Sequence, residues 1–338
     1  MTTTPAPGDS LQMMQHLFGF STSQALYAIA RLGVAETLVD GPRSIDDLAE
    51  AAGANADALG RVIRTLTPLG VFRTETDGKI AITPLGATLA PDAPGSAHAI
   101  ALFLMETHYQ PFGDLLRTVR TGETAAEVLY GMKFEYWMAQ KPERVAMKNA
   151  AMASVSDGWR DPFLQNYKLP PGDLVADLGA ADGSMLARLL QNAPHRRGIV
   201  FDLPEVISAA KRTLADYGVA GRVTVHGGSF FDRVPAADLY LMSMVLHDWD
   251  DESAARILEN IAAAALPGAR LVVIEHIVPA GDTPDFSKPI DLIMLGMTGG
   301  KERTAAEYAD LLTNAGFIVT TVKETGTPFS AIEATVQK

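Results

Sequence analysis

From Lys168 onward the chain has one rhythm, and that rhythm restricts its fold more than any other feature. After the break "KLPPGD" (Lys168 to Asp173), short apolar runs alternate with helical stretches to the end. The runs are LVADLG, GIVFDL, VTVHGG, DLYLMSMVL, RLVVIEHIV, IVTTVKE and SAIEATV, with helices expected from Ser184, Glu205, Asp251 and Thr304. Strands alternating with helices demand a parallel sheet covered on both faces. Only a short turn separates the last two runs, so a closing antiparallel hairpin is expected. Residues 169–338 are therefore expected to be an α/β domain, a doubly wound and mostly parallel seven-stranded sheet.

The first half reads differently. Residues 1–10, "MTTTPAPGDS", are small and polar and read as a flexible or locally ordered tail. Leu11, Met14, Leu17, Phe18, Ala25, Leu26, Ile29 and Leu32 then recur at helical spacing, a wide apolar face that must pack on something, such as a second subunit. "SIDDLAEAAG" opens with a serine cap, "NADALGRVIRTLTPLG" supplies a second helix, and "VFRTETDGKIAITPLG" is a hairpin turning near Asp77-Gly78. That order is a winged helix. Residues 35 to 90 carry eight acids against five Lys/Arg, and the second helix offers only Arg61 and Arg64 to phosphates. Packing or dimerisation through 11–100 is favoured over DNA binding. Residues 101–168 read as a helical linker whose Met105, Tyr109, Phe134, Trp137, Met152 and Trp159 serve as core or line a pocket for a flat apolar ligand.

Composition narrows the classes. A net charge of -12 over 338 residues opposes attraction to nucleic acid or anionic membrane. With no cysteine there are no disulfides or thiolate metal sites, which suits a reducing cytoplasm. The first cation is Arg31, so no basic segment of a signal peptide is present, and no apolar stretch is long enough to span a bilayer.

"VADLGAADGS" (Val175 to Ser184) is a strand, a turn and a helix start, where doubly wound folds hold nucleotides. Gly179 and Gly183 do not fit the dinucleotide fingerprint, whose second and third glycine places hold Ala181 and Ser184. A ligand without a pyrophosphate fits better. Asp202 ends the next strand 23 residues after Gly179, where a carboxylate accepts ribose hydroxyls. Together these favour an adenosine cofactor carrying a sulfonium, S-adenosylmethionine. Asp177 is either a cofactor contact or a structural carboxylate holding loop amides.

In "MVLHDWDDESAARILENIAAAALPGARLVVIEH", His247 follows one apolar run and Glu275 ends the next. A histidine with a reference pKa of about 6.5 is suited to take a proton from an attacking hydroxyl. Glu275 and Glu302 are each candidates to accept its other ring proton. Asp250, Asp251 and Glu252 read as a helix N-terminus, and with no second histidine at ligand spacing no metal is expected.

"VADLGAADGS", "FDLPEVI", "GGSFFDRVP", "LHDWDDE" and "GGKERTAAEYADLLTNAGF" stand in the order seen in plant caffeic-acid-type and bacterial natural-product O-methyltransferases. The chain resembles that family over nearly its whole length. The resemblance implies a class I, Rossmann-like methyltransferase domain, an N-terminal dimerisation domain, and methyl transfer from S-adenosylmethionine to an aromatic hydroxyl. It implies His247, Glu275 and Glu302 as catalytic residues and Asp177, Gly179, Asp202, Leu203, Ser229, Phe230 and Ser243 as cofactor contacts. Met152 and Met294 are the candidates for the acceptor pocket. Ser229-Phe230 replaces the Asp-Met pair usual in plant members, and Ser243 replaces a lysine, which weakens the expected contacts to adenine. Two other readings stay open: a cofactor-binding relative that hydroxylates or decarboxylates, and a winged-helix regulator.

Overall fold

The computed structural model describes residues 7–155 and 160–337. The chain divides into two compact units, one of residues 1–113 and 136–158, the other of residues 114–135 and 159–338. The stretch 101–168, read as one linker, is shared between them. Trp159 lies outside the described residues.

In the first unit the opening helix, Pro7–Leu17, begins inside the stretch read as a tail. It is followed by Gly19–Arg31, Val34–Val39, Ile45–Ala52 and Ala56–Leu66. Ser44 and Asp47 close a reciprocal capping box on the fourth of these, and Asn55 caps the fifth by accepting the Ala58 N–H at 3.0 Å. The hairpin is β1 (Phe72–Thr74) against β2 (Ile80–Ile82), Phe72 opposite Ile82, with Gly78 at φ +84 in its turn. The left-handed conformation there suits glycine. Ile29, Leu48, Ile63, Leu66 and Phe72 form the core. The apolar stripe from Leu11 to Leu32 therefore splits: Ile29 is buried, whereas Leu11, Met14, Leu17 and Phe18 face outward, as does Phe20.

The second unit is built on seven strands: β3 (Leu174–Leu178), β4 (Arg197–Asp202), β5 (Val223–Gly227), β6 (Leu239–Ser243), β7 (Arg270–Glu275), β8 (Phe317–Glu324) and β9 (Ser330–Val336). Their order across the sheet is β5-β4-β3-β6-β7-β9-β8. β9 alone runs against its neighbours, antiparallel to both β7 and β8, so the seven runs and the closing hairpin are as expected. Each face carries its own apolar cluster. Tyr240, Met242, Leu258 and Phe317 belong to one, and Val175, Leu186, Leu241 and Val272 to the other. Alternate residues of β6 supply opposite clusters, which is why its sequence is apolar without interruption.

Two local departures bear on the site. After β4 the chain turns through a 3-10 segment, Ile207–Ala209, before the helix Ala210–Asp216, later than the Glu205 start expected. A helix not foreseen, Ser287–Met297, lies between β7 and the Thr304-capped helix Ala305–Asn314. No helix among the described residues is long and apolar enough to cross a membrane.

Candidate active site

Chain direction across the sheet reverses between β3 and β6, which are adjacent although two strands separate them in sequence. Open α/β sheets leave a crevice at such a switch point, on the C-terminal edges of the strands. Leu178, Asp202, Gly227, Ser243 and Glu275 all end strands along that edge.

At β3 the loop 179–183 turns on three left-handed residues, Gly179 (φ +74), Ala181 (φ +50) and Gly183 (φ +73). A side chain at 179 would lie 2.6 Å from Val245, so that glycine also sets how closely the loop approaches the chain after β6. Asp202 holds the loop: Oδ2 accepts the Ala181 N–H at 2.9 Å and Oδ1 accepts the Leu203 N–H at 2.7 Å. Each oxygen keeps a further lone pair. Leu203 beside it is an exposed apolar side chain. Asp177 is buried beneath the loop, with no hydrogen-bond partner for Oδ2 among the described residues. Burial, with Asp202 and Asp182 nearby, pushes its carboxyl up to about 7 against the lowering effect of Arg160. Arg160 itself donates to Ser184 Oγ at 3.2 Å.

The second half of the edge carries the histidine. β6 ends at Ser243, and Met244 takes φ +54, uncommon for a residue with a Cβ. The bend aims two successive N–H groups, of Val245 and Leu246, at one oxygen, Glu275 Oε1, at 3.0 and 2.9 Å. Such adjacent amides form an anion-binding nest. The chain then makes a single 3-10 turn, Leu246–Asp248, so His247 sits on that turn, four residues beyond the strand. His247 Nδ1 lies 2.7 Å from Glu302 Oε1. The two glutamates thus have different contacts: Glu302 meets the imidazole, while Glu275, expected to do the same, holds the backbone that carries it. Ligand atoms of all three nonetheless lie within 4.8 Å of one another.

All three side chains are buried. Burial by itself would lower the pKa of His247; the acids Asp248, Glu275 and Glu302 outweigh it and raise the imidazole above its usual value. Burial pushes the Glu275 carboxyl up, against the pull of His247.

The loop bearing Glu302 is fitted onto the histidine turn. The Lys301 N–H donates to His247 O at 2.7 Å, and the Glu302 N–H donates to Asp291 Oδ1 at 2.9 Å. Asp291 lies on the unforeseen helix Ser287–Met297, which also carries Met294. Met152 lies on Pro142–Val155, in the first unit. In the loop after β5, Ser229 Oγ accepts the Phe231 N–H at 3.2 Å. Phe230 packs edge-on against Phe231 and Trp249, at 5.1 and 6.0 Å between ring centres, which joins that loop to the histidine turn.

Comparison with known proteins gives two family matches, an O-methyltransferase dimerisation domain over residues 14–92 and an O-methyltransferase domain over residues 112–318. The chain belongs to the O-methyltransferase family. It is 38% identical to the phenazine O-methyltransferase of Lysobacter antibioticus, over 95% of each chain. A solved methyltransferase of calicheamicin biosynthesis, in its S-adenosylhomocysteine-bound form, superposes with a TM-score of 0.86 at 33% identity, covering 99% of this chain and 100% of the other. Another relative has a different activity: the aclacinomycin 10-hydroxylase of Streptomyces purpurascens is 33% identical over 98% of this chain and 94% of its own.

Sequence reasoning about this O-methyltransferase missed Asp291, Arg303 and Gly300. Nothing in the sequence distinguishes the acid and the arginine from surface charges, or the glycine from one that only makes a turn. A Cβ at Gly300 would lie 2.1 Å from His247 O and 2.8 Å from the Asp248 carbonyl carbon, both backbone atoms. The expected outcome for Gly300→Ala is a folded protein whose turnover falls roughly 10²-fold, the scale of a displacement of about 1 Å at a reacting group, with cofactor affinity preserved. Calorimetric titration beside steady-state rates checks it.

Proposed function

We propose that the protein transfers a methyl group from S-adenosylmethionine to a hydroxyl of an aromatic small molecule, with His247 as the general base. The contact between His247 Nδ1 and Glu302 carries the reading: a carboxylate there fixes the tautomer with Nδ1 protonated and leaves Nε2 with the lone pair. The aromatic acceptor class rests on the phenazine relative, and metabolite biosynthesis is the proposed setting, from the calicheamicin relative.

The residues present suit the cofactor. An unpartnered, buried Asp177 oxygen next to a left-handed loop suits a cationic group, and the lone pairs left on Asp202 suit a ribose diol. Leu203 and Phe230 supply apolar surface for a base, while Ser229 and Ser243 are neutral polar neighbours. When bound, this cofactor supplies an electrophilic methyl on a sulfonium. The chain's own part is to hold the acceptor oxygen in line, remove its proton at Nε2, and exclude water; proton removal is worth about 10² to 10⁴-fold. Met294, on the helix that carries Asp291, is proposed to contact the acceptor.

No metal is assigned a role. Nδ1 is engaged by Glu302 and Glu275 Oε1 by two amides, while Glu275 Oε2 and Glu302 Oε2 have no hydrogen-bond partner among the described residues. No nucleic-acid partner is proposed for the acidic winged segment, and a reducing cytoplasm is the proposed location. The outward Leu17 and Phe20 of the dimerisation domain are proposed to form a homodimer interface. The hydroxylase relative favours a second reading, cofactor-bound hydroxylation. Equal amounts of methylated product and S-adenosylhomocysteine, formed with a hydroxylated phenazine as probe, support transfer; an oxygenated product without S-adenosylhomocysteine rejects it.

His247→Ala is expected to lose about 10² to 10⁴-fold in kcat while binding S-adenosylhomocysteine normally; near-normal turnover would remove the base assignment. Only neutral imidazole accepts a proton, and the His247 pKa is raised, so kcat/KM should climb with pH on the alkaline side of the usual imidazole value. Glu302→Gln removes one of the raising acids, so the climb should move to lower pH as kcat falls. Dialysis against a chelator should leave turnover unchanged, measured before and after. Leu17→Glu combined with Phe20→Glu should give a folded monomer by light scattering.

A further inference from the structure

Arg303 is fully buried, with no exposed side-chain area, in a domain whose other arginines mostly reach solvent. Burying a guanidinium is costly unless its donors are met. Here they are met by the histidine turn and the segments that flank it. Nη1 donates to Leu246 O at 3.0 Å and to Lys301 O at 3.3 Å, and Nη2 donates to Trp249 O at 2.8 Å. Nε and Nη2 both reach Asp251 Oδ1, at 2.9 and 2.8 Å, at the N-terminus of the helix Asp251–Ala264.

These acceptors have a pattern. Leu246 precedes His247 and Trp249 follows it by two residues, so one planar group grips the turn on both sides of the imidazole. Lys301 O belongs to the loop that presents Glu302, the residue next to Arg303 in sequence. The arginine's backbone extends the grip, since Arg303 O accepts the Val278 N–H at 3.0 Å and Arg303 bridges Ile277, two residues beyond Glu275. Three segments, bearing His247, Glu302 and Glu275, therefore meet at this one residue.

We infer that Arg303 is a positioning residue for the transfer reaction, its guanidinium setting the distance between the imidazole and the Glu302 carboxylate. A rigid fork does this and a lysine does not, because an ammonium lacks the planar spread of donors needed to reach carbonyls on two sides. The inference rests on the reading of His247 as base, but its test does not depend on turnover.

The experiment is nitrogen-15 NMR of the histidine rings in the complex with S-adenosylhomocysteine, comparing the parent, Arg303→Lys and Asp251→Ala. In the parent, the His247 ring should show the downfield N–H proton of a short bond to a carboxylate. Arg303→Lys should lose that signal and lower the His247 pKa, while S-adenosylhomocysteine affinity stays within about 3-fold and turnover of a hydroxylated phenazine falls roughly 10²-fold with KM for S-adenosylmethionine little changed. A folded Arg303→Lys with an unaltered His247 signal and pKa overturns the inference, even if its melting temperature drops. Should Arg303→Lys not fold, Asp251→Ala decides by the same signal: a weakened bond supports the role and an unchanged one rejects it. Persistence of turnover in His247→Ala would instead defeat the base reading and leave the NMR result on Arg303 standing.

Discussion

Two adjacent backbone N–H groups, of Val245 and Leu246, converge on a single oxygen of Glu275, and the arrangement of the site follows from that contact. It requires Met244 to adopt a left-handed conformation that a residue with a Cβ rarely takes, at a cost of order 1–3 kcal/mol. The buried carboxylate offsets that cost by meeting both amides, and the chain leaves β6 at the angle that brings His247 over Glu302. An acid inside a strand, the oddest feature of "RLVVIEH", is thus explained by the backbone of the neighbouring strand rather than by the imidazole.

The same contact links fold to chemistry. β6 and β7 are paired in register, Ser243 opposite Ile274, so the end of one strand and the carboxylate of the next are brought together by the sheet itself. On the other side of the switch point, Asp202 performs a parallel task, fastening the loop after β3 to the end of β4. Both halves of the crevice are held by a carboxylate accepting backbone amides. Glu275 is buried with Oε1 meeting two amides, and together with Asp248 and Glu302 it places the imidazole among carboxylates. That surrounding favours the imidazolium which forms when a proton is taken up.

The relatives bound how far fold alone carries function. An O-methyltransferase and a 10-hydroxylase are 38% and 33% identical to this chain over nearly its whole length. What distinguishes them must reside in side chains around the crevice. In this chain the histidine and both glutamates are together, and the loop after β5 is joined to them through Phe230 and Trp249.

The sequence by itself determined the seven strands, their closing hairpin, the capped helices of the first unit and the family, because periodicity, caps and turn residues act over a few positions. It also gave His247 and Glu302 as partners, through a motif rather than through distance. It did not divide residues 101–168 between two units or foresee the helix Ser287–Met297. It also did not separate the tasks of the two glutamates. Those depend on contacts between residues far apart in the chain: Glu275 with Val245, Asp291 with Glu302, Gly300 and Arg303 with the histidine turn. Only the tertiary structure decided them, since a glycine or an arginine in a short loop looks the same in sequence whether it meets solvent or the backbone of a buried turn.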